Sequence, residues 1–371
     1  MNNLKRREFL KASAVFAAAS ATAGFSCIEI ASAQRIQIPT IDKLTMRVLM
    51  DQGHDSFLRG GTIKGVVHEG PGPGRSADAR NVFHNQWGLS LFLESQRDQE
   101  SRAILLDFGY TAAALINNIG LMNVDPSKIQ ALIVSHGHID HYGGLIGFLG
   151  QYRNVLPADL KLYAGGEDNF CHRLRGATVG QLGENGTLAR REIEAHKVTT
   201  VLCETPTVIA GHAFTTGKIK RGSIERVLPN GFVDYTAKEN AGCEYSHYTA
   251  AELQGKFVPD EHVHEHATCF NIRGKGLVVI SSCGHVGIVN SVRQAQEVSG
   301  IQKVHAIIGG FHLGPAPADY LKQVIAEIKK LEPDVLLPMN CSGLNFVLEA
   351  RAQMPDSVIS TSTGSKLTFS A

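Results

Sequence analysis

The 371-residue sequence carries no surplus of one charge, since its formal net charge is only +1. Beyond residue 33 it has no Lys/Arg run or basic stripe, which argues against a nucleic-acid partner, because phosphate backbones are held by clustered cations. It also lacks, past the N-terminus, any stretch long and apolar enough to make a stable membrane span, and any low-complexity tract. Gly-x-Ser-x-Gly, Walker and Gly-x-Gly-x-x-Gly motifs are missing, so neither a serine-nucleophile elbow nor a nucleotide-cradling loop is available. The seven cysteines follow no zinc-finger or thioredoxin spacing. With 43% hydrophobic and 19% charged residues, the chain is an ordinary globular protein, long enough for one large domain or two small ones.

What is present begins with Ser135-His136-Gly137-His138-Ile139-Asp140-His141, three imidazoles and a carboxylate within six residues. Lys128-Ile129-Gln130-Ala131-Leu132-Ile133-Val134 leads into it as a buried strand, and Tyr142-Gly143-Gly144-Leu145 opens a helix. The cluster therefore falls at the C-terminal end of a strand. From there His136 and His138 can reach one ion while Asp140 and His141 turn toward a second, an arrangement suited to metal-assisted hydrolysis. A single histidine is usually a core or surface residue, but four ligand-type residues at this spacing point to metal.

The chain resembles metallo-β-lactamase-fold proteins, whose hallmark is His-x-His-x-Asp-His. Upstream, Leu105-Leu106-Asp107-Phe108-Gly109 matches the strand-ending Asp that braces the ligand loop in that family. Downstream, Ser281-Ser282-Cys283-Gly284-His285-Val286-Gly287, Ile308-Gly309-Gly310-Phe311-His312-Leu313 and Pro338-Met339-Asn340-Cys341-Ser342-Gly343 follow in order. These three are similar to the branch named for a dihydropterin-linked ribofuranosyl-aminobenzene phosphate synthase, and the resemblance runs from about Leu44 to the C-terminus. It implies an α/β fold, an αββα four-layer sandwich, and one or two divalent ions, zinc ahead of manganese or iron. His136, His138, Asp140, His141, His285 and Asn340 are the implied metal residues, and Asp140 and His312 the catalytic ones. The branch usually has His where this chain has Asn340, and an amide binds metal only through its oxygen, which suits harder ions. Cys283 and Cys341 sit in two of the motifs, where a thiolate could stand in for a missing ligand; a small buried side chain supporting the loop is the commoner use.

Periodicity gives the rest of the organisation. Leu44–Met50, Leu89–Glu94, Ala103–Asp107 and Gln130–Ser135 read as strands with a helix over Thr111–Ile119. In the second half, Thr268–Ile272 and Leu277–Ser281 read as a hairpin closed by a four-residue turn. A helix near Ile288–Val298, strand Val304–Ile308, helix Ala318–Leu331 and strand Val335–Leu337 follow. Gly53–Trp87, with Pro71-Gly72-Pro73-Gly74, reads as a long loop over the site, and 154–261 as a middle insertion. His262, His264 and His266 alternate as they would on one face of a strand, which makes a further metal site conceivable, though exposed histidines on an edge strand are the commoner case.

The N-terminus reads as an export signal. Lys5-Arg6-Arg7-Glu8-Phe9-Leu10-Lys11 is close to the twin-arginine pattern, an Ala-rich stretch follows, and Ala31-Ser32-Ala33 is a cleavage signal before Gln34. Removing 1–33 deletes four basic residues (Lys5, Arg6, Arg7, Lys11) and two acidic ones (Glu8, Glu29), which takes the net charge from +1 to −1. The domain is then 34–371, periplasmic or secreted, with the twin-arginine export machinery as a partner of the precursor. That route moves folded proteins, so metal would be acquired beforehand. Gly24-Phe25-Ser26-Cys27 lacks the aliphatic residue a lipoprotein signal needs. The expectation is an exported hydrolase that uses metal-activated water on a small ester, lactone or phosphate. Pterin-linked transfer, or metal-containing binding and sensing without turnover, are the alternatives.

Overall fold

Strands buried on both faces set the architecture of this protein. The computed structural model describes residues 36–72, 80–176, 179–228, 231–237, 243 and 248–371; the signal expectation at 1–33, and Pro73-Gly74, lie outside them. The first sheet has nine strands in the order β11 (Thr199–Leu202), β8 (Lys161–Ala164), β7 (Ile129–Val134), β6 (Glu100–Leu106), β5 (Ser90–Arg97), β2 (Lys43–Met50), β20 (Lys366–Ser370), β4 (Val66–Glu69) and β3 (Gly61–Ile63). The β6, β7, β8 and β11 strands run parallel. The second sheet has the order β12 (Val208–Ile209), β13 (Ala213–Thr215), β16 (Thr268–Ile272), β17 (Gly276–Ser281), β18 (Val304–Gly310) and β19 (Val335–Met339), with β1 (Thr40–Ile41) beside β16. Here β17, β18 and β19 are parallel. Pro338 is tolerated in β19 because that strand is the sheet's edge.

Alternation along each strand decides what packs where. Met46, Val48, Leu91, Ile104 and Ile133 meet Phe270, Val278, Ile280, Ala306 and Ile308 in one interior between the sheets. Their neighbours Phe92, Leu105 and Leu132 face outward and bury Leu115, Ile119, Phe148 and Leu149 of the helices Ala112–Leu121 and Leu145–Tyr152. Across the molecule, helix Ile288–Ser299 packs on β17 and helix Ala318–Lys330 follows it. The fold is thus an αββα sandwich. In it Asp51, Asp107, His136, Cys283, His312 and Asn340 lie just past the ends of β2, β6, β7, β17, β18 and β19, at one edge.

Four expectations need correction. Gly53–Trp87 is not all loop, because β3 and β4 form a hairpin within it. The 154–261 insertion is not one unit: β8 and β11 extend the first sheet, and β12 and β13 the second. What remains forms a separate four-stranded sheet of β10 (Gly183–Gly186), β9 (His172–Arg175), β14 (Gly231–Asp234) and β15 (Val258–Pro259). Finally, His262, His264 and His266 are buried and precede β16 in irregular chain, so they are neither exposed nor on a strand. His262 has φ 57°, which breaks any extended run. The hairpin turn between β16 and β17 is Arg273–Lys275, with Gly274 at φ 70°.

Candidate metal centre

Asp107 builds the centre from below. Its carboxylate, buried at the end of β6, accepts from the Ser135 N–H at 2.8 Å, the Ser135 hydroxyl at 2.7 Å and His141 Nδ1 at 2.7 Å. The first two bonds fix the loop leaving β7, and the third fixes the His141 ring with Nε2 pointing away. There Nε2 lies 3.4 Å from Asp140 Oδ2 and 3.3 Å from Asn340 Nδ2. Burial would depress His141, but Asp140 and Asp107 hold it well above the ordinary imidazole range. Burial would raise Asp140, yet His141 and His138 bring it down to about 2. A cation at Nε2, whether proton or metal, is what these two carboxylates favour.

The other imidazoles converge from separate elements. Ring centroids of His136 and His141 are 4.3 Å apart, His138 and His285 4.8 Å, His262 and His285 3.9 Å, and His285 and His312 4.1 Å. Donor atoms of His138, His262 and His285 lie within 4.8 Å of one another, as do those of His136, Cys283 and His285. Burial, reinforced by neighbouring rings, pushes His136 and His285 well below the usual range, and burial takes His262 to about 3. These rings are therefore neutral, the form that ligates. His136 Nε2 and His262 Nε2 are buried without a hydrogen bond, and Asp260 Oδ1 stands 3.1 Å from His262 Nδ1. Leaving such atoms unsatisfied is costly, and a divalent ion would satisfy several at once. The donor set fits a metal.

Every residue expected from the motifs falls in this one cluster, but Asn340 is turned in a telling way. Its Oδ1, the only atom able to ligate, accepts from the Gly88 N–H at 3.2 Å, and its amide nitrogen faces His141. Its N–H donates at 2.8 Å to Asp51, a buried carboxyl that burial pushes up to about 7. Sequence reasoning ranked His262 as an edge-strand residue above a metal site, and it missed the supports of that ring. Asp260, two residues earlier, accepts from His262 N–H at 2.9 Å and from Arg173 Nε at 2.7 Å, and stands 3.7 Å from His138 Nε2. The fully buried Arg173 also donates to the carbonyls of Cys171 at 3.1 Å and Asn169 at 3.3 Å. Gly137 is required beside it, since a Cβ there would overlap the guanidinium. The only signal for His262 was its carboxylate-imidazole spacing, which strand alternation mimics. On the far side, Glu265, pushed up by burial to about 7, accepts from the Val286 N–H at 2.8 Å and holds the His285 loop.

The cleft over the cluster has a volume of about 170 Å³ and is lined by Trp87, Tyr110, Arg175 and Asn185 at its mouth, with His138, Asp140, His285 and His312 below. Trp87 is 55% exposed and the only tryptophan of the chain. No described helix is long and apolar enough to cross a membrane.

Residues 89–220 match the profile of the metallo-beta-lactamase superfamily. The chain is 28% identical over 274 residues to 7,8-dihydropterin-6-methyl-4-(beta-D-ribofuranosyl)-aminobenzene-5'-phosphate synthase of Methanocaldococcus jannaschii, covering 72% of this chain and 84% of that protein. An uncharacterized protein of the same organism is 27% identical over 272 residues, 71% of this chain and 87% of its own length. Among solved structures, Tm1679, described as a metal-dependent hydrolase of the beta-lactamase superfamily, superposes with a TM-score of 0.63 at 18% identity. The match covers 88% of this chain and all of that one.

Proposed function

From the premise that this chain has the metallo-β-lactamase fold, we propose that it is an exported, metal-dependent hydrolase of a small ester, lactone or phosphate. The observation that carries this reading is the convergence of buried imidazoles from separate segments beside a cleft, with His136 Nε2 and His262 Nε2 lacking a hydrogen bond. His136, His138, His262 and His285 would hold one divalent ion, and Asp140 and His141 a second. A bound ion of this kind supplies Lewis acidity and a nucleophile at neutral pH.

The chain's own residues do the remaining work. Arg175 places a permanent cation at the cleft mouth, suited to a carboxylate or phosphate on the substrate. Trp87 and Tyr110 offer flat apolar faces beside it. Asp140, ionised at neutral pH, orients the attacking water and takes up its proton. His312, on the floor of the same cleft, faces the position of the leaving oxygen.

A second reading, group transfer rather than hydrolysis, is favoured by the name of the 28% identical relative. Export argues against a cytoplasmic pterin substrate, and two observations support export. One is the Arg6-Arg7 and Ala31-Ser32-Ala33 signals. The other is the Cys171–Cys243 disulfide, a bond typical of oxidising compartments.

The test is metal analysis of purified protein with a screen of lactones, phosphodiesters, thioesters and β-lactams. Asp140→Ala/His141→Ala should lose at least one equivalent of metal and all turnover. Unchanged metal content in that double variant would defeat the metal assignment. Full metal content with no turnover on any of the four classes would defeat hydrolysis and leave transfer or binding.

A further inference from the structure

We propose that Cys283, His312 and Cys341 form a sulfur-rich metal subsite beside the imidazole cluster, one that takes a thiophilic divalent ion such as zinc. The three residues come from the ends of three adjacent parallel strands, β17, β18 and β19, and their donor atoms all lie within 4.8 Å of one another. The two sulfurs are 3.1 Å apart yet unbonded, whereas Cys171 and Cys243 of the same chain are joined.

Backbone and ring groups are aimed at the sulfurs. The His312 N–H donates to Cys341 Sγ at 3.3 Å, the kind of backbone bond that steadies a sulfur anion. His312 Nδ1 lies 3.7 Å from Cys283 Sγ, so the ring presents that nitrogen to the sulfurs. His312 itself has φ 47°, in the left-handed region that His adopts more readily than most residues. Close packing also protects the arrangement. A Cβ on Gly310 would lie 2.8 Å from Cys341 Sγ, so only glycine leaves room for it.

Chemistry selects the ion. Two thiolates and an imidazole prefer zinc to magnesium, calcium or manganese, and three protein ligands leave a fourth position open to the cleft. Binding forms two metal–sulfur bonds and one metal–nitrogen bond and releases the two thiol protons to solvent, with no change of oxidation state. His312 would ligate through Nδ1 and keep its proton on Nε2. The subsite also answers the loss at position 340. Where Asn340 turns its oxygen to Gly88, the neighbouring Cys341 supplies a stronger donor.

This inference needs metal binding but not hydrolysis, so its readout is coordination and not turnover. The mature protein, loaded with three equivalents of zinc, is measured by X-ray absorption at the zinc edge. The expected result is a sulfur shell at about 2.3 Å beside the nitrogen shell at about 2.0–2.1 Å, averaging about two sulfurs for every three zincs. Cys283→Ser/Cys341→Ser should abolish the sulfur shell and lose one equivalent, and Cys341→Ser alone should halve it. A shell of nitrogen and oxygen only in the wild-type protein overturns the proposal, as does a sulfur shell that Cys341→Ser leaves intact. Cadmium-loaded wild-type protein provides a check that needs no variant. Sulfur-to-cadmium charge-transfer absorption is expected in the ultraviolet, and its absence at full occupancy overturns the proposal equally.

Discussion

Asp107, His141 and Asn340 form a line in which each group decides what the next can do. Asp107 accepts a hydrogen bond from His141 Nδ1, which aims Nε2 at Asn340, and Asn340 answers with an amide nitrogen that has no lone pair to give. Asn340→His should put a ligating nitrogen at that place. The backbone tolerates it, since φ at 340 is 40° and His, like Asn, is several times more common in this region than other residues. We expect metal affinity to rise about ten- to a hundredfold, with turnover rising alongside, read by competition titration and steady-state rates under matched zinc and manganese. Equal affinity and rate in the two forms would mean that position 340 plays no part in binding.

At the scale of elements, the site depends on turns that admit no side chain. Gly88, just before β5, has φ 116°, and a Cβ there would fall on the Asp140 carbonyl oxygen. Gly88→Ala should therefore push the His138–Tyr142 turn out of place. Strain of this type costs about 1–3 kcal/mol. Thermal unfolding should show at least that loss, and metal retention after gel filtration should fall with it; a variant as stable and as metal-rich as the parent would refute the packing argument. The same distinction explains what could be read from sequence. The strands β2, β5, β6, β7 and β16 to β19 were legible because they are apolar runs buried on both faces, and the ligands were legible because motifs mark their ends. The β9, β10, β14 and β15 sheet was not, because its strands are two to four residues long and partly polar. What organises it is Arg173 bonded to Asp260, a pair 87 residues apart that no local pattern announces. His262 was misread for the same reason, since a two-residue alternation looks identical on an edge strand and in a buried ligand turn.

For the whole molecule, the question is where it matures. Arg6→Lys/Arg7→Lys should leave the precursor in the cytoplasm with its N-terminus intact, and the native form should begin at Gln34 in the exported fraction. Fractionation with N-terminal sequencing reads both, and export of the Lys-Lys form as before would refute the assignment. Non-reducing peptide mapping of the exported protein should find Cys171 linked to Cys243. That link closes a span of 72 residues, and a loop of this size contributes roughly 4 kcal/mol by restricting the unfolded chain.

The depth of the cluster has a consequence for time rather than for affinity. His136, His141, His285 and Asn340 are almost wholly shielded, and the Trp87–Gly88 turn is bonded to Asn340 from above. An ion seated among them would have to shed several buried donors before reaching the cleft, so its residence would be governed by how often the protein opens locally. Dialysis against a chelator would then empty the site at the pace of that opening, whatever the chelator's strength. An ion found in a purified sample would accordingly be an inheritance from the place of folding, with the medium around the mature protein having little say in it.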